Sequence, residues 1–179
     1  MKNSTRKARG RMSWIMVDVE ATGPIPGDFV MTEIGAVVVK PELLQRFHAK
    51  LLPYARDEVA GYSQEDVFVV DEPLEVMRRF EEWLTNVSEG RPMFISDNNG
   101  FDWQFINYYF HHFLGVNPFG HSSTNLGSLY KGLVKDVWKS FKFLRETPHT
   151  HNALDDAIGN AEAFIKMKEL YDLKVGWGK

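Results

Sequence analysis

Apolar and polar positions first fall into a clear pattern between Ser13 and Glu20. Trp14, Met16, Asp18 and Glu20 take one face of an extended segment, and Ile15, Val17 and Val19 take the other. This predicts a strand. Thr22-Gly23-Pro24-Ile25-Pro26-Gly27 then gathers turn formers. A second strand is predicted over Met31 to Val39, whose nearly unbroken apolar run suits a strand covered on both faces. Leu43 to Leu52 reads as a third. The links between these strands are too short for crossovers, so the three cannot all be parallel.

Helical periodicity follows Pro73. Val76, Met77, Phe80, Trp83, Leu84 and Val87 recur at three- and four-residue steps, and Gly90 ends the pattern. Pro92 to Ser96 is a short apolar strand. Asp102 to Leu114 is an aromatic-rich helix closed by Gly115, and Leu126 to Val134 and Val137 to Leu144 read as shorter helices. A last helix runs from about Ala153 to Tyr171, with Leu154, Ala157, Ile158, Ala161, Phe164 and Ile165 as its stripe. The order predicts an α/β fold, a mixed central sheet flanked by helices. With 179 residues and no repeat or internal linker, the expectation is one domain over residues 13–179. It is preceded by a basic flexible arm over 1–12 that carries Lys2, Arg6, Lys7, Arg9 and Arg11.

Composition narrows the chemistry. The chain has no cysteine, which excludes a disulfide scaffold, a thiolate zinc site and a cysteine nucleophile, and fits a cytoplasmic protein. No apolar run approaches the roughly 18–20 residues that span a bilayer, so no membrane partner is expected. The formal net charge of −3 argues against holding long duplexes by neutralising phosphates. A short nucleic-acid end gripped partly by bound cations remains compatible, because their charge is absent from the residue count. The 13 Phe, 6 Tyr and 5 Trp chiefly supply core, with a few left as candidate base-stacking surfaces.

Acidic residues carry the candidate chemistry. Asp18 and Glu20 project from one strand face at its C-terminal end, where α/β sheets place ligands. Taken alone, such a pair more often marks a solvated strand edge. Asp102 opens one helix and Asp156 lies in the first turn of another, and each is explained singly by a favourable charge at a helix N-terminus. Together, without cysteine and without histidines at zinc spacing, the four carboxylates suit hard divalent ions at a phosphoryl-transfer site. His111 and His112 are adjacent and project apart.

Three segments give these acids a shared context: Asp18-Val19-Glu20-Ala21-Thr22-Gly23, Asn98-Asn99-Gly100-Phe101-Asp102 and His151-Asn152-Ala153-Leu154-Asp155-Asp156-Ala157. In this order they resemble the motifs of the DEDD exonucleases, histidine subtype, on a ribonuclease H-like fold. Glu33-Ile34-Gly35 and the stretch from Gly61 to Trp83 also resemble family segments, so the likeness runs from about Trp14 to Tyr171. It implies a 3′–5′ exonuclease that releases nucleoside 5′-monophosphates from single-stranded 3′ ends. Asp18, Glu20, Asp102 and Asp156 would hold two Mg²⁺ or Mn²⁺ ions, and His151 would act as general base. The Ala21-Thr22-Gly23 backbone and Asn98 would line the terminal-nucleotide pocket, while Phe101 and Trp103 are open to stacking or to core packing. The family also admits a homodimer.

Asp155 and Asp156 compete for one role. Asn152 as N-cap would make Asp155 its capping partner and leave Asp156 for metal, in agreement with the family spacing from His151. The chain departs from the family at Asp97, where relatives often carry His. Three readings share these residues: an end-binding module without catalysis, a proofreading subunit that depends on a polymerase partner, and a free-standing enzyme of RNA maturation or short-oligonucleotide clearance. No local motif reports on DNA against RNA.

Overall fold

Strand β1 (Met12–Ala21) is the axis of the computed structural model, which describes residues 12–52 and 71–176. It pairs antiparallel with β2 (Met31–Val38), which pairs antiparallel with β3 (Arg46–Lys50). On its other side β1 runs parallel to β4 (Arg91–Ser96), and β4 runs parallel to β5 (Ser123–Asn125). The sheet order is β3-β2-β1-β4-β5, the mixed arrangement that the short early links require.

Both faces of β1 are covered, which explains its apolar density. Ile15, Val17 and Val19 pack with Val76, Met77 and Phe80 of α1 (Pro73–Val87) and with Phe105 and Ile106 of α2 (Asn99–Tyr109). Met16 packs on the opposite face with Leu126 and Tyr130 of α3 (Leu126–Val134) and with Ala157, Ala161 and Phe164 of α4 (Ala153–Leu170). Phe80, Phe105 and Phe164 are all but fully buried. Each such burial is worth roughly 1.5–3 kcal/mol. A register shift between Glu20 and Ala21 offsets the last pair of the ladder, Ala21 with Met31, and there the Met31 amide donates to the Tyr109 hydroxyl at 2.7 Å. The same bulge therefore ties α2 to the end of β1 that carries the acids.

Three expectations change. The third strand is only Arg46–Lys50, because Leu43 adopts a left-handed φ of 46° in a turn closed by its amide on the Lys40 carbonyl. Val137 to Leu144 is not a helix but a loop ending in a single 3₁₀ turn at Lys142–Leu144. Asp136 and Ser140 accept backbone amides from Trp138 and Lys142, and such local bonds compete with helix. The helix predicted from Asp102 begins earlier, at Asn99, and its end widens into a π turn over Phe110–Leu114. The polar triplet of β5 gave no apolar signal. The arm, apart from Met12, and the part of the Gly61–Trp83 stretch up to residue 70 lie outside the described residues.

Candidate active site

The site forms where β1 ends. Asp18 and Glu20 leave the same face of the strand, as the period of two requires, and Asp18 is buried at 9% exposure. Asp102 comes from the first turn of α2, and its Oδ1 accepts the Val19 amide at 3.2 Å. Asp156 comes from the first turn of α4. The structure brings these acids together in two overlapping groups, each with carboxylate oxygens within 4.8 Å of one another: Asp18 with Glu20 and Asp156, and Asp18 with Asp97 and Asp102. Asp18 belongs to both.

Burial and crowding set the electrostatics. Burial, then the neighbouring charges of Asp102, Asp97, Asp156 and Glu20, push the Asp18 carboxyl up to about 10. Burial, then Asp97, push Asp102 up to about 8, with the Ser96 hydroxyl and the Val19 amide offsetting only part. Glu20 is raised as well, by burial first, with His151 opposing. Asp156 goes the other way: burial would raise it, but Arg145 and His149 outweigh that and lower it.

The N-terminus of α4 shows how the sequence tells the two adjacent aspartates apart. Asn152 Oδ1 accepts the Leu154 and Asp155 amides, both at 3.1 Å. Asp155 Oδ2 accepts the Thr150 hydroxyl at 3.1 Å, and Thr150 Oγ1 in turn accepts the Asn152 amide at 3.3 Å. Asp155 is thus spent on the cap, one residue removed from a direct capping box. Asp156 turns inward at 1% exposure, where Arg145 donates to Oδ1 at 2.7 Å and His149 Nδ1 lies 2.7 Å from Oδ2. Arg145 is itself buried and also donates to the Thr147 carbonyl. Its guanidinium lies against Gly159, where a β-carbon would collide with it.

Two more contacts seat α4 on the sheet. Glu33 Oε1 accepts the Ala153 amide at 3.2 Å and pairs with His48 Nε2 at 2.6 Å. Gly35 meets the Ala153 backbone so closely that no side chain fits. Glu33-Ile34-Gly35 is therefore the seat of the helix that delivers Asp156.

A cleft of about 710 Å³ opens on these groups, lined by Asp18, Glu20, Asp97, Asn98, Phe101, Asp102, His149 and His151 among others. His151 is exposed, in a left-handed conformation (φ 57°) just before α4, with its ring 4.3 Å from that of His149. Asn98 caps α2 through its backbone and leaves its side chain free of a capping bond. Ala21, Thr22 and Gly23 lie beside the lining, not in it. Thr22 Oγ1 accepts the Val30 amide at 3.1 Å, and Gly23 sits under the Phe29 ring. Trp103 packs edge-on against Phe94 at 5.0 Å, whereas Phe101 reaches the cleft. Sequence reasoning missed Arg145 and His149 around Asp156, and it missed Lys131, Trp138, Lys139 and Lys142 of the cleft wall. Arg145 and His149 carry no motif signal, and the lysines and Trp138 lay in segments read as structural helices.

The residues fit a divalent cation. Every donor is a carboxylate oxygen, Asp102 Oδ2 is buried without a hydrogen bond, and the two groups of acids repel each other unless positive charge lies between them.

The comparisons agree with this geometry. Residues 15–164 match the exonuclease family. A 3′–5′ DNA exonuclease of Escherichia coli, Cap18, is 37% identical over 177 residues, covering 90% of this chain and 94% of that protein. Among solved structures, a full-length 3′-exonuclease superposes with a TM-score of 0.71 at 16% identity, covering 97% of this chain and 66% of that one. The Mg²⁺- and Mn²⁺-bound Pop2p of S. pombe gives 0.60 at 12% identity, covering 89% and 84%. These likenesses place the fold in the ribonuclease H-like class. The chain belongs to the exonuclease family, within the DEDD superfamily, and is a metal-dependent 3′–5′ exonuclease.

Proposed function

We propose that the chain removes nucleoside 5′-monophosphates from the 3′ end of single-stranded DNA, with two divalent cations held by Asp18, Glu20, Asp102 and Asp156. The observation that carries this reading is the convergence of acids from β1, α2 and α4 on Asp18, which both groups of carboxylates share. Two cations sharing one ligand is an arrangement suited to in-line displacement at phosphorus. The Mg²⁺- and Mn²⁺-bound neighbour supports the choice of ions, and the DNA exonuclease of Escherichia coli supports DNA as substrate.

Each side chain then has a task. Asp18, Glu20, Asp102 and Asp156 supply the negative charge that retains the cations. When bound, these polarise the scissile phosphate and acidify a water. His151, exposed on the cleft beside Glu20, accepts the proton of the attacking water, the general-base task that histidine most often performs. Arg145 keeps Asp156 ionised and fixed, so that its second oxygen faces the cleft side occupied by His149. Asn98 is free to bond the terminal sugar.

The test is direct. The protein is incubated with 5′-labelled single-stranded DNA and RNA of matched sequence in Mg²⁺, Mn²⁺ or EDTA. The expected outcome is a ladder shortening from the 3′ end, faster on DNA and abolished by EDTA. Asp102→Asn should lower the rate by about a thousandfold or more while preserving the fold, the scale on which losing a group that stabilises developing charge acts. No shortening by folded protein in either metal would leave the end-binding module instead.

A further inference from the structure

The loop from Lys135 to Ser140 is held at its base and bare at its crest. Phe141 and Leu144 anchor it in the core at 4% and 6% exposure, and Asp136 bonds the Trp138 amide. Trp138 nevertheless stands 92% exposed, while lining the same cleft as Asp18, Glu20 and Asp102. Lys131, Lys139 and Lys142 line that cleft too, all exposed and without an ion-pair partner among the described residues. An indole left in water on a pinned loop gives up the burial that large aromatics normally gain. Three unpaired ammonium groups beside it mark what the face would receive: a polyanion with flat apolar groups.

Resting on the exonuclease reading, we infer that Trp138 with Lys131, Lys139 and Lys142 forms a subsite for the single strand upstream of the scissile dinucleotide. The indole stacks on an unpaired base and the lysines meet the phosphates. Charge makes the subsite necessary. The carboxylate floor repels a phosphodiester backbone and the chain is net negative, so bound cations compensate only at the reacting phosphate. The lysine wall compensates farther along the strand. A duplex offers no free base face to an indole, so the wall also selects single strands.

The test compares a dinucleotide with a ten-nucleotide single strand. Trp138→Ala should raise KM for the longer strand by about tenfold, the scale of one lost base–aromatic stack. It should leave kcat, and both constants for the dinucleotide, within about twofold. Trp138→Phe should restore most of the loss. Lys139→Gln with Lys142→Gln should reduce the slope of log affinity against log salt by about 1.4, from about 0.7 per single-strand phosphate contact. Anisotropy of a labelled ten-nucleotide strand in EDTA reads binding apart from cleavage. Strand binding in EDTA with no cleavage of either substrate in Mg²⁺ or Mn²⁺ by the wild type would sink the exonuclease reading and spare the subsite. Normal cleavage with unchanged KM and salt slope in the variants would sink the subsite and show that Trp138 serves another partner. Equal losses on both substrates would also overturn it, by placing Trp138 at the reacting end.

Discussion

Asp97, which lies between the strand β4 and the helix α2, presses charge onto both Asp18 and Asp102. Its carboxylate lies within 4.8 Å of theirs, so a cation there meets three acids and not two. At an effective dielectric near 20 a unit charge at that range changes cation binding by well over ~1 kcal/mol before screening. Asp97→Asn should therefore weaken Mg²⁺ binding by about tenfold in a calorimetric titration. An unchanged affinity would show that Asp97 only crowds its neighbours. The acids of the three motifs were legible because each lies beside a local signal: a period of two, a helix start, a cap. Arg145 was not. It reaches Asp156 across eleven positions of loop and helix, and neither periodicity nor capping links such residues.

At the scale of elements, the strands and long helices were legible because their apolar residues recur with one period over many positions. The segment from Val137 to Leu144 shows where that fails. Its apolar residues do not share a face: Phe141 and Leu144 turn into the core while Val137 and Trp138 turn out. Over eight residues a few apolar matches cannot separate a helix from a pinned loop, and Asp136 and Ser140 tip the balance by bonding nearby amides. The glycine of Glu33-Ile34-Gly35 is the opposite case, visible in sequence but understood only from packing. A methyl group at Gly35 strikes the Ala153 backbone, so the first turn of α4 must move. That turn carries Asp156 and follows His151. Gly35→Ala should cut kcat by about a hundredfold, the effect of a displacement near 1 Å at a reacting centre. The far half of α4, clasped through Phe164 and Met167, should keep the protein folded. Near-normal turnover with a normal melting curve would mean that the helix shifts without disturbing the site.

For the molecule as a whole, the acids are a charge held against the fold. Asp18 and Asp102 are lifted from an ordinary value of 3.8 to about 10 and about 8, so the metal-free folded state holds protons that the unfolded chain releases. Below about pH 4 both states are protonated at these groups and their contribution is most favourable. As pH rises from there toward about 8 and about 10, the unfolded chain ionises these carboxylates while the folded state, where they are buried and crowded, keeps them protonated, and stability falls. Asp156 has the reverse sign: lowered by Arg145 and His149, it adds stability above its ordinary range and loses it in acid. The metal-free protein should therefore be most stable in mild acid and lose Tm steadily between pH 6 and pH 9. Divalent cations bind the ionised acids, so their stabilisation grows over the same interval. Melting curves at pH 6 and pH 9, each in EDTA and in Mg²⁺, read both effects. Mg²⁺ should raise Tm more at pH 9, and Asp18→Asn should flatten the EDTA profile and remove most of the Mg²⁺ gain. A Tm in EDTA that holds level from pH 6 to pH 9 would show that the carboxylates ionise without cost, and the case for cations as the relief of that crowding would go with it.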